Sequence, residues 1–223
     1  ALTWSTNIMP IIQLGMKPVP VDCDPQTLNC MAANLAGTLK KTKLDAFFIT
    51  NALGFAGDLG AIRALCKKNG VIFLEDNCES LSTALPEGKT GNFGLAAAFS
   101  FFVAHHMSTI EGGCVCTDDG DLDEMLRIVR GNGWDRNLSF DGQRRLREKH
   151  GVKSEFDAKY TFYDLGFNLR PTEITGFLGL TQLKYLKDNC AMRQENYFIL
   201  EKEAVNNPEL IPLNRGHLSF VSN

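Results

Sequence analysis

Short apolar runs alternate with amphipathic stretches along this 223-residue chain. Leu44 to Thr50 (LDAFFIT), Val71 to Asp76 (VIFLED) and Leu95 to Ser100 are too short for helices and read as buried strands. Gly113 to Thr117 reads as a fourth strand and Pro18 to Val21 as a short one. The stretches between them carry helix signals. Ser5 and Thr6 cap a helix that runs to Leu14 and ends at Gly15, with Pro10 near its first turn. Leu28 to Leu39 is a weaker helix. Asp58 caps another through Lys68, which Asn69-Gly70 ends. Asp121 to Arg130, Pro171 to Leu186 and Arg193 to Val205 complete the helices, with Pro171 in a first turn. Trp134 to Tyr163 is polar, charged and weakly patterned. It reads as a long functional or interface excursion with one short helix over Gln143 to Lys149. From Leu210 the tail reads as the first strand of a further element.

Strands alternating with helices imply a layered α/β domain with a mainly parallel sheet. In such sheets ligands bind beyond the carboxyl ends of the strands. Asp76 and Ser100 fall at those ends, and His105 follows Ser100 by five residues.

Composition narrows the function classes. The chain is 44% hydrophobic and 22% charged, ordinary for a soluble globular protein. A net charge of -3 without a basic run excludes nucleic acid as a partner. No apolar stretch reaches the roughly 18 to 20 residues of a membrane span, and Ala1-Leu2-Thr3-Trp4 has no signal-peptide character. Seven scattered cysteines suit reduced, structural thiols in a cytoplasmic protein. Asp118 to Glu124 lacks the full spacing of a calcium loop and reads as a solvated turn opening a helix. No metal site is expected.

Taken singly, the candidate residues have plain readings. Trp4 suits a core or interface, Asp76 a helix cap, and the His105-His106 pair a polar turn. Their order changes this. Ala1 to Thr6 (ALTWST) with Lys17 to Asp22 (KPVPVD), Leu74-Glu75-Asp76, Phe99 to Gly113 (FSFFVAHHMSTIEGG) and Gly166 to Leu178 (GFNLRPTEITGFL) together resemble the DegT–StrS sugar aminotransferase family. The resemblance spans essentially the whole chain, and its third stretch is the most specific. It implies the three-layer α/β/α large domain of the type I pyridoxal-phosphate-dependent transferase fold, incomplete at both ends.

The resemblance also implies roles. Asp76 pairs with the pyridine nitrogen and keeps the ring an electron sink. Trp4 stacks on the ring, and Ser100 donates to the phosphate. Glu79 faces the ring hydroxyl or is a first-turn helix acid. Asn168 reaches the neighbouring subunit's cofactor phosphate, or is a loop residue before a helix; the first reading makes the protein a homodimer. Most members carry a cofactor-binding lysine where this chain has His105, and no lysine lies between Lys89 and Lys149. Pyridoxal or pyridoxamine 5'-phosphate would therefore be held non-covalently. Histidine here is similar to the 3-dehydratase branch, which removes a sugar hydroxyl. Gly133 to Leu138 (GWDRNL) and Tyr160 to Tyr163 (YTFY) extend the match toward the members acting on a GDP-linked 4-keto-6-deoxy sugar.

The expected function is removal of the C3 hydroxyl of a nucleotide-linked 4-keto-6-deoxy sugar, in deoxysugar and O-antigen synthesis. His105 is the base, and L-glutamate is the expected amino donor. Amination of a nucleotide sugar, or binding without turnover, are the competing readings. A second histidine branch holds an iron–sulfur cluster. Cys78 matches one of its ligands, but no cysteine lies between Thr117 and Asn189, so no cluster is expected. His106 is expected to satisfy a turn or line the site edge. Relatives also carry a segment before the position of Ala1 and a smaller C-terminal domain. Residues 1–209 are accordingly expected to be the large domain, residues 210–223 the start of the small one, and cofactor binding by this piece alone weak.

Overall fold

The computed structural model describes residues 1–222, in two compact units: residues 1–116 with 174–222, and residues 117–173. In the first unit, strands β1 (Ala46–Thr50), β2 (Ile72–Asp76), β5 (Ala96–Ser100) and β6 (Gly113–Cys116) form one sheet in the order β1-β2-β5-β6. β1, β2 and β5 are parallel, whereas β6 returns antiparallel to β5. The register sets Thr50 opposite Asp76 and Asp76 opposite Ala98. The carboxyl ends of the three parallel strands therefore share one edge. A small antiparallel pair, β3 (Ala84–Leu85) and β4 (Gly88–Lys89), lies in the β2–β5 connection.

Alternation decides which side chains of β1 are inside. Phe47 and Ile49 are buried, as is Phe73 of β2, and the rings of Phe47 and Phe73 stack 6.1 Å apart. They share a core with Leu35 of α2 (Ala32–Leu39) and with Leu59, Ile62 and Cys66 of α3 (Leu59–Asn69). Gly70 ends α3 in the left-handed conformation, φ +65°, as Asn69-Gly70 predicts. Asp58 stands before α3, but its carboxylate does not cap that helix. It accepts the amide of Ala32, the first residue of α2, at 2.7 Å. One acid thus satisfies an orphan donor 26 residues away and ties two helices together.

Several local expectations are corrected. Pro18 to Val21 makes no ladder. α1 spans Ser5–Gln13 with Trp4 at its N-cap and no side-chain cap, and Pro10 lies beyond the first turn. The helix expected from Pro171 begins at Glu173; α7 (Glu173–Leu183) and α8 (Leu186–Asn206) are separated only by Lys184 and Tyr185. No strand starts at Leu210. The tail instead folds back: Phe220 bridges Ala84, Leu218 and Val221 join the core, and the Val221 amide donates to Gln194 at 2.9 Å. Buried apolar side chains, not an extended run, decide its path.

The second unit is more ordered than its composition suggests. It contains α4 (Gly120–Arg130), α5 (Phe140–Lys149) and α6 (Glu155–Ala158), begun by side-chain caps from Asp119, Ser139 and Ser154. The wholly buried Asp135 accepts from Arg147 Nε at 2.7 Å, and Arg147 also reaches Glu155 at 3.0 Å. Trp134 stacks on Phe162 at 5.0 Å with the Arg136 guanidinium 3.9 Å from the indole. Caps and a buried ion pair replace the hydrophobic periodicity whose absence makes this stretch read as a loop. Among the described residues no helix is long and apolar enough to cross a membrane.

Candidate active site

The site is built at the carboxyl ends of β1, β2 and β5. Asp76 closes β2 and is 6% exposed. Its Oδ1 accepts the Cys78 amide at 3.1 Å and its Oδ2 accepts Asn7 Nδ2 at 2.6 Å. Asn7 also donates to Thr50 Oγ1 at 2.8 Å, and that hydroxyl pairs with Thr3 Oγ1 at 2.8 Å. The start of α1 is thereby fixed to the ends of β1 and β2, which places Trp4 one helical turn from the residue that holds Asp76. Trp4 is 68% exposed, a broad uncovered indole surface. Asn7, Thr50 and Thr3 are not legible in the sequence as site residues, because a helical Asn and a strand-end Thr carry no signal of a partner 43 to 69 residues away.

The carboxylate before Asp76 does a different job. Glu75 is fully buried. Its Oε1 accepts the amides of Phe93 and Gly94 at 2.8 and 2.7 Å. Its Oε2 accepts Gly91 N at 2.7 Å and Asn77 Nδ2 at 3.3 Å. The turn entering β5 is wrapped around this one side chain. Gly91, at φ +93°, and Gly94 permit the wrap: a Cβ at Gly94 would stand 2.8 Å from the Phe73 carbonyl. Asn77, also fully buried, links Asn51, Ser80 and Glu75 in the same network.

Glu79 is not a first-turn helix acid, because no helix starts there. Its Oε2 accepts the amide of Leu53 at 2.7 Å. Leu53 has φ +55°, a left-handed conformation unfavourable for a branched side chain, in the turn directly after β1. Glu79 therefore holds that turn. Beside it, burial, helped by the adjacent Asp76 carboxylate, pushes the Cys78 thiol up to about 12. Cys78 should stay protonated and resist iodoacetamide at pH 8, while the exposed Cys116 reacts; peptide mass mapping checks this, and prompt labelling of Cys78 would contradict it. Cys114 and Cys116 are exposed on β6, unlike the buried structural thiols expected.

Ser100 closes β5. Its Oγ accepts the Phe102 amide at 3.1 Å, which leaves the hydroxyl hydrogen free for another acceptor. The loop that follows carries His105, half-buried, its ring edge-on to Phe102 at 6.1 Å. His105 lines a cleft of about 290 Å³ with His106, Ser108, Gln182, Asn189 and Arg193. His106 is engaged elsewhere. It is 3% exposed, and its Nε2 pairs with the Ser222 carbonyl. Burial pulls its pKa below the usual imidazole value, with Arg193 and His105 adding to the effect.

Asn168 lies in the second unit. It bridges antiparallel to Gly131, its Oδ1 accepts from Arg170 Nε at 3.2 Å, and its side chain is exposed.

A buried acid, a hydroxyl and a histidine beyond the carboxyl ends of parallel strands stand where α/β folds of this class bind their ligands. The chain belongs to the DegT/DnrJ/EryC1/StrS aminotransferase family, whose model matches residues 1–218. It is 38% identical over 205 residues to GDP-4-keto-6-deoxy-D-mannose 3-dehydratase of Yersinia pseudotuberculosis, covering 91% of this chain and 50% of that protein. Two solved structures of a GDP-4-keto-6-deoxymannose-3-dehydratase are similar. A variant with bound GDP-perosamine matches at TM-score 0.79 and 34% identity, over 91% of this chain and 52% of that one. Another, with a trapped PLP–glutamate geminal diamine, matches at TM-score 0.83 and 33% identity, over 93% and 53%. The mainly parallel α/β architecture is that of the type I pyridoxal-phosphate transferases. The chain spans about half the length of the curated relatives it matches.

Proposed function

We propose that this chain carries the cofactor-binding core of an enzyme that removes the C3 hydroxyl of a nucleotide-linked 4-keto-6-deoxy sugar, using pyridoxamine phosphate held non-covalently. The observation that carries the reading is His105, half-buried after β5, in a chain with no lysine between Lys89 and Lys149 and with 38% identity to a protein named as such a 3-dehydratase.

The residues present fit the group. Asp76 retains acceptor capacity for a protonated ring nitrogen, since each carboxylate oxygen takes more than one donor. Ser100 has a free hydroxyl hydrogen for a phosphate oxygen, and the open indole of Trp4 suits a ring face. When bound, the cofactor would supply an amine for the C4 ketone and a ring that can hold the electron pair left when its methylene carbon loses a proton, the pair whose return toward the sugar expels the C3 oxygen as hydroxide. His105 would take the proton from the cofactor's methylene carbon onto a ring nitrogen. Imidazole is the side chain that can both take and release a proton near neutrality, which suits it to that transfer. Because it cannot bind the cofactor covalently, His105 stays available as a base throughout. Asp76, buried and fixed by Asn7, holds its charge in place without reorganising.

On this reading residues 1–209 are the large domain and residues 210–223 lead into the small one. The protein works in the cytoplasm as a homodimer, Asn168 reaching the partner's cofactor phosphate, and an amino donor such as L-glutamate restores the cofactor. The test is to incubate the full protein with pyridoxal phosphate, L-glutamate and GDP-4-keto-6-deoxymannose and to follow the sugar by NMR and mass spectrometry. Loss of one oxygen at C3 without net amination is expected. An amino sugar would show an aminotransferase instead, and an unchanged sugar a protein that binds without turnover.

A further inference from the structure

The loop from Phe101 to Gly112 contains turns but no helix or strand. Its ends are secured by Phe101 N to the Gly112 carbonyl at 2.8 Å and Thr109 N to the Phe101 carbonyl at 2.9 Å. At its apex the His105 amide makes one turn bond, 3.0 Å to the Phe102 carbonyl. The rest of the apex is held by the buried His106 ring, paired with the Ser222 carbonyl, and by α8, more than eighty residues on. Arg193 Nη2 donates to the Ala104 carbonyl at 3.3 Å and to the His105 carbonyl at 3.4 Å, while Asn189 Nδ2 donates to the His106 carbonyl at 3.4 Å. Three consecutive carbonyls thus face two side chains spaced i, i+4 on one helix face.

The platform is rigid where it counts. The same helix is anchored by Cys190, Gln194 and Tyr197, all buried, so the two donors cannot drift without disturbing the core. Each contact is long and individually weak, but the guanidinium adds charge to two of them. Arg193 is the one permanent cation lining the cleft among the described residues, and a backbone clamp explains its place without requiring it to touch the sugar.

We infer that Arg193 is a positioning residue for His105: it fixes the backbone on either side of the base and so sets where the imidazole stands. This rests on the reading of His105 as the base. The test uses the full protein with Arg193→Gln and Arg193→Lys. Arg193→Gln should lower kcat about 10- to 100-fold with KM nearly unchanged, since misplacing a base costs the chemical step and not binding. Arg193→Lys, which keeps a charged donor, should recover much of the loss. Amide hydrogen exchange, measured without substrate or cofactor, should quicken about tenfold at His105 and Thr109 in Arg193→Gln, with the amides of α8 unaffected. Wild-type exchange at His105 and Thr109 would overturn the inference, as would equal loosening of α8. The exchange result stands even if the wild-type protein fails to dehydrate the sugar, so failure of the clamp and failure of the proposed function are read separately.

Discussion

Replacing His105 with asparagine in the full protein should lower the rate of C3 deoxygenation by about 10²- to 10⁴-fold, the span that a positioned general base contributes. The fold should survive. His105 is half-buried, its ring meets Phe102 edge-on, and it lies outside the packed core around Phe47, Phe73 and Leu59. Unfolding curves of wild-type and variant should therefore overlay while turnover collapses. A His105→Asn protein with full activity would remove the residue from the mechanism. His105→Lys gives the complementary signal. A visible absorbance that appears on addition of pyridoxal phosphate to His105→Lys, and not with the wild type under the same conditions, would come from this position, since no other lysine lies from 90 to 148; its absence would place the loop in a different register.

The largest effect on stability is expected at Glu75. Removing this carboxylate leaves three backbone amides and the Asn77 side chain without their acceptor, those of Phe93 and Asn77 in a buried setting and those of Gly91 and Gly94 part-buried. Glu75→Gln keeps the shape but turns one oxygen into a donor facing donors. The cost of an unsatisfied buried group, combined with the loss of charge-assisted bonds, is roughly 2–4 kcal/mol. For a chain of this size that corresponds to a fall in Tm of roughly 4–16 °C. Urea unfolding and a thermal scan measure it. A change below about 0.5 kcal/mol, the range of an ordinary surface substitution, would mean that the turn at Gly91 to Gly94 forms without its central anion. Because Asp76 follows Glu75 in β2, the variant should also weaken any ligand held at the strand ends.

Both residues show how unevenly the chain advertises its parts. His105 stands out in the sequence because a histidine occupies a place where relatives carry a lysine. Glu75 does not: an acid beside Asp76 at the end of an apolar strand looks like a second solvent-facing carboxylate. Only its four donors, arriving from Asn77 and from a turn 16 to 19 residues later, reveal that it organises the approach to β5. Asp58 is legible as standing before α3, yet its bond goes to α2. Glu79 is legible as polar and near Asp76, yet it holds the turn at Leu53.

What the sequence determined by itself was periodic and local. The apolar runs ending at Thr50, Asp76 and Ser100 gave three strands, and the helix ending at Gly70 returned the chain between the first two; β2 and β5 run parallel across turns and the β3–β4 pair, with no helix between them, and that pairing was not written in the spacing. Gly70 stopped α3 because only a residue tolerant of positive φ fits there. These outcomes depend on neighbours a few positions apart, and hydrophobic spacing records such neighbours directly. The tertiary structure alone decided the pairings that turn those ends into a site: Asn7 with Asp76, Glu75 with the Gly91 to Gly94 turn, and Arg193 with the carbonyls beside His105. It also decided that the polar stretch after Trp134 would order around Asp135 and Arg147. The physical reason is the same in each case. A polar side chain can be satisfied by any donor or acceptor that packing brings within about 3 Å, and no spacing in the chain states which one that will be.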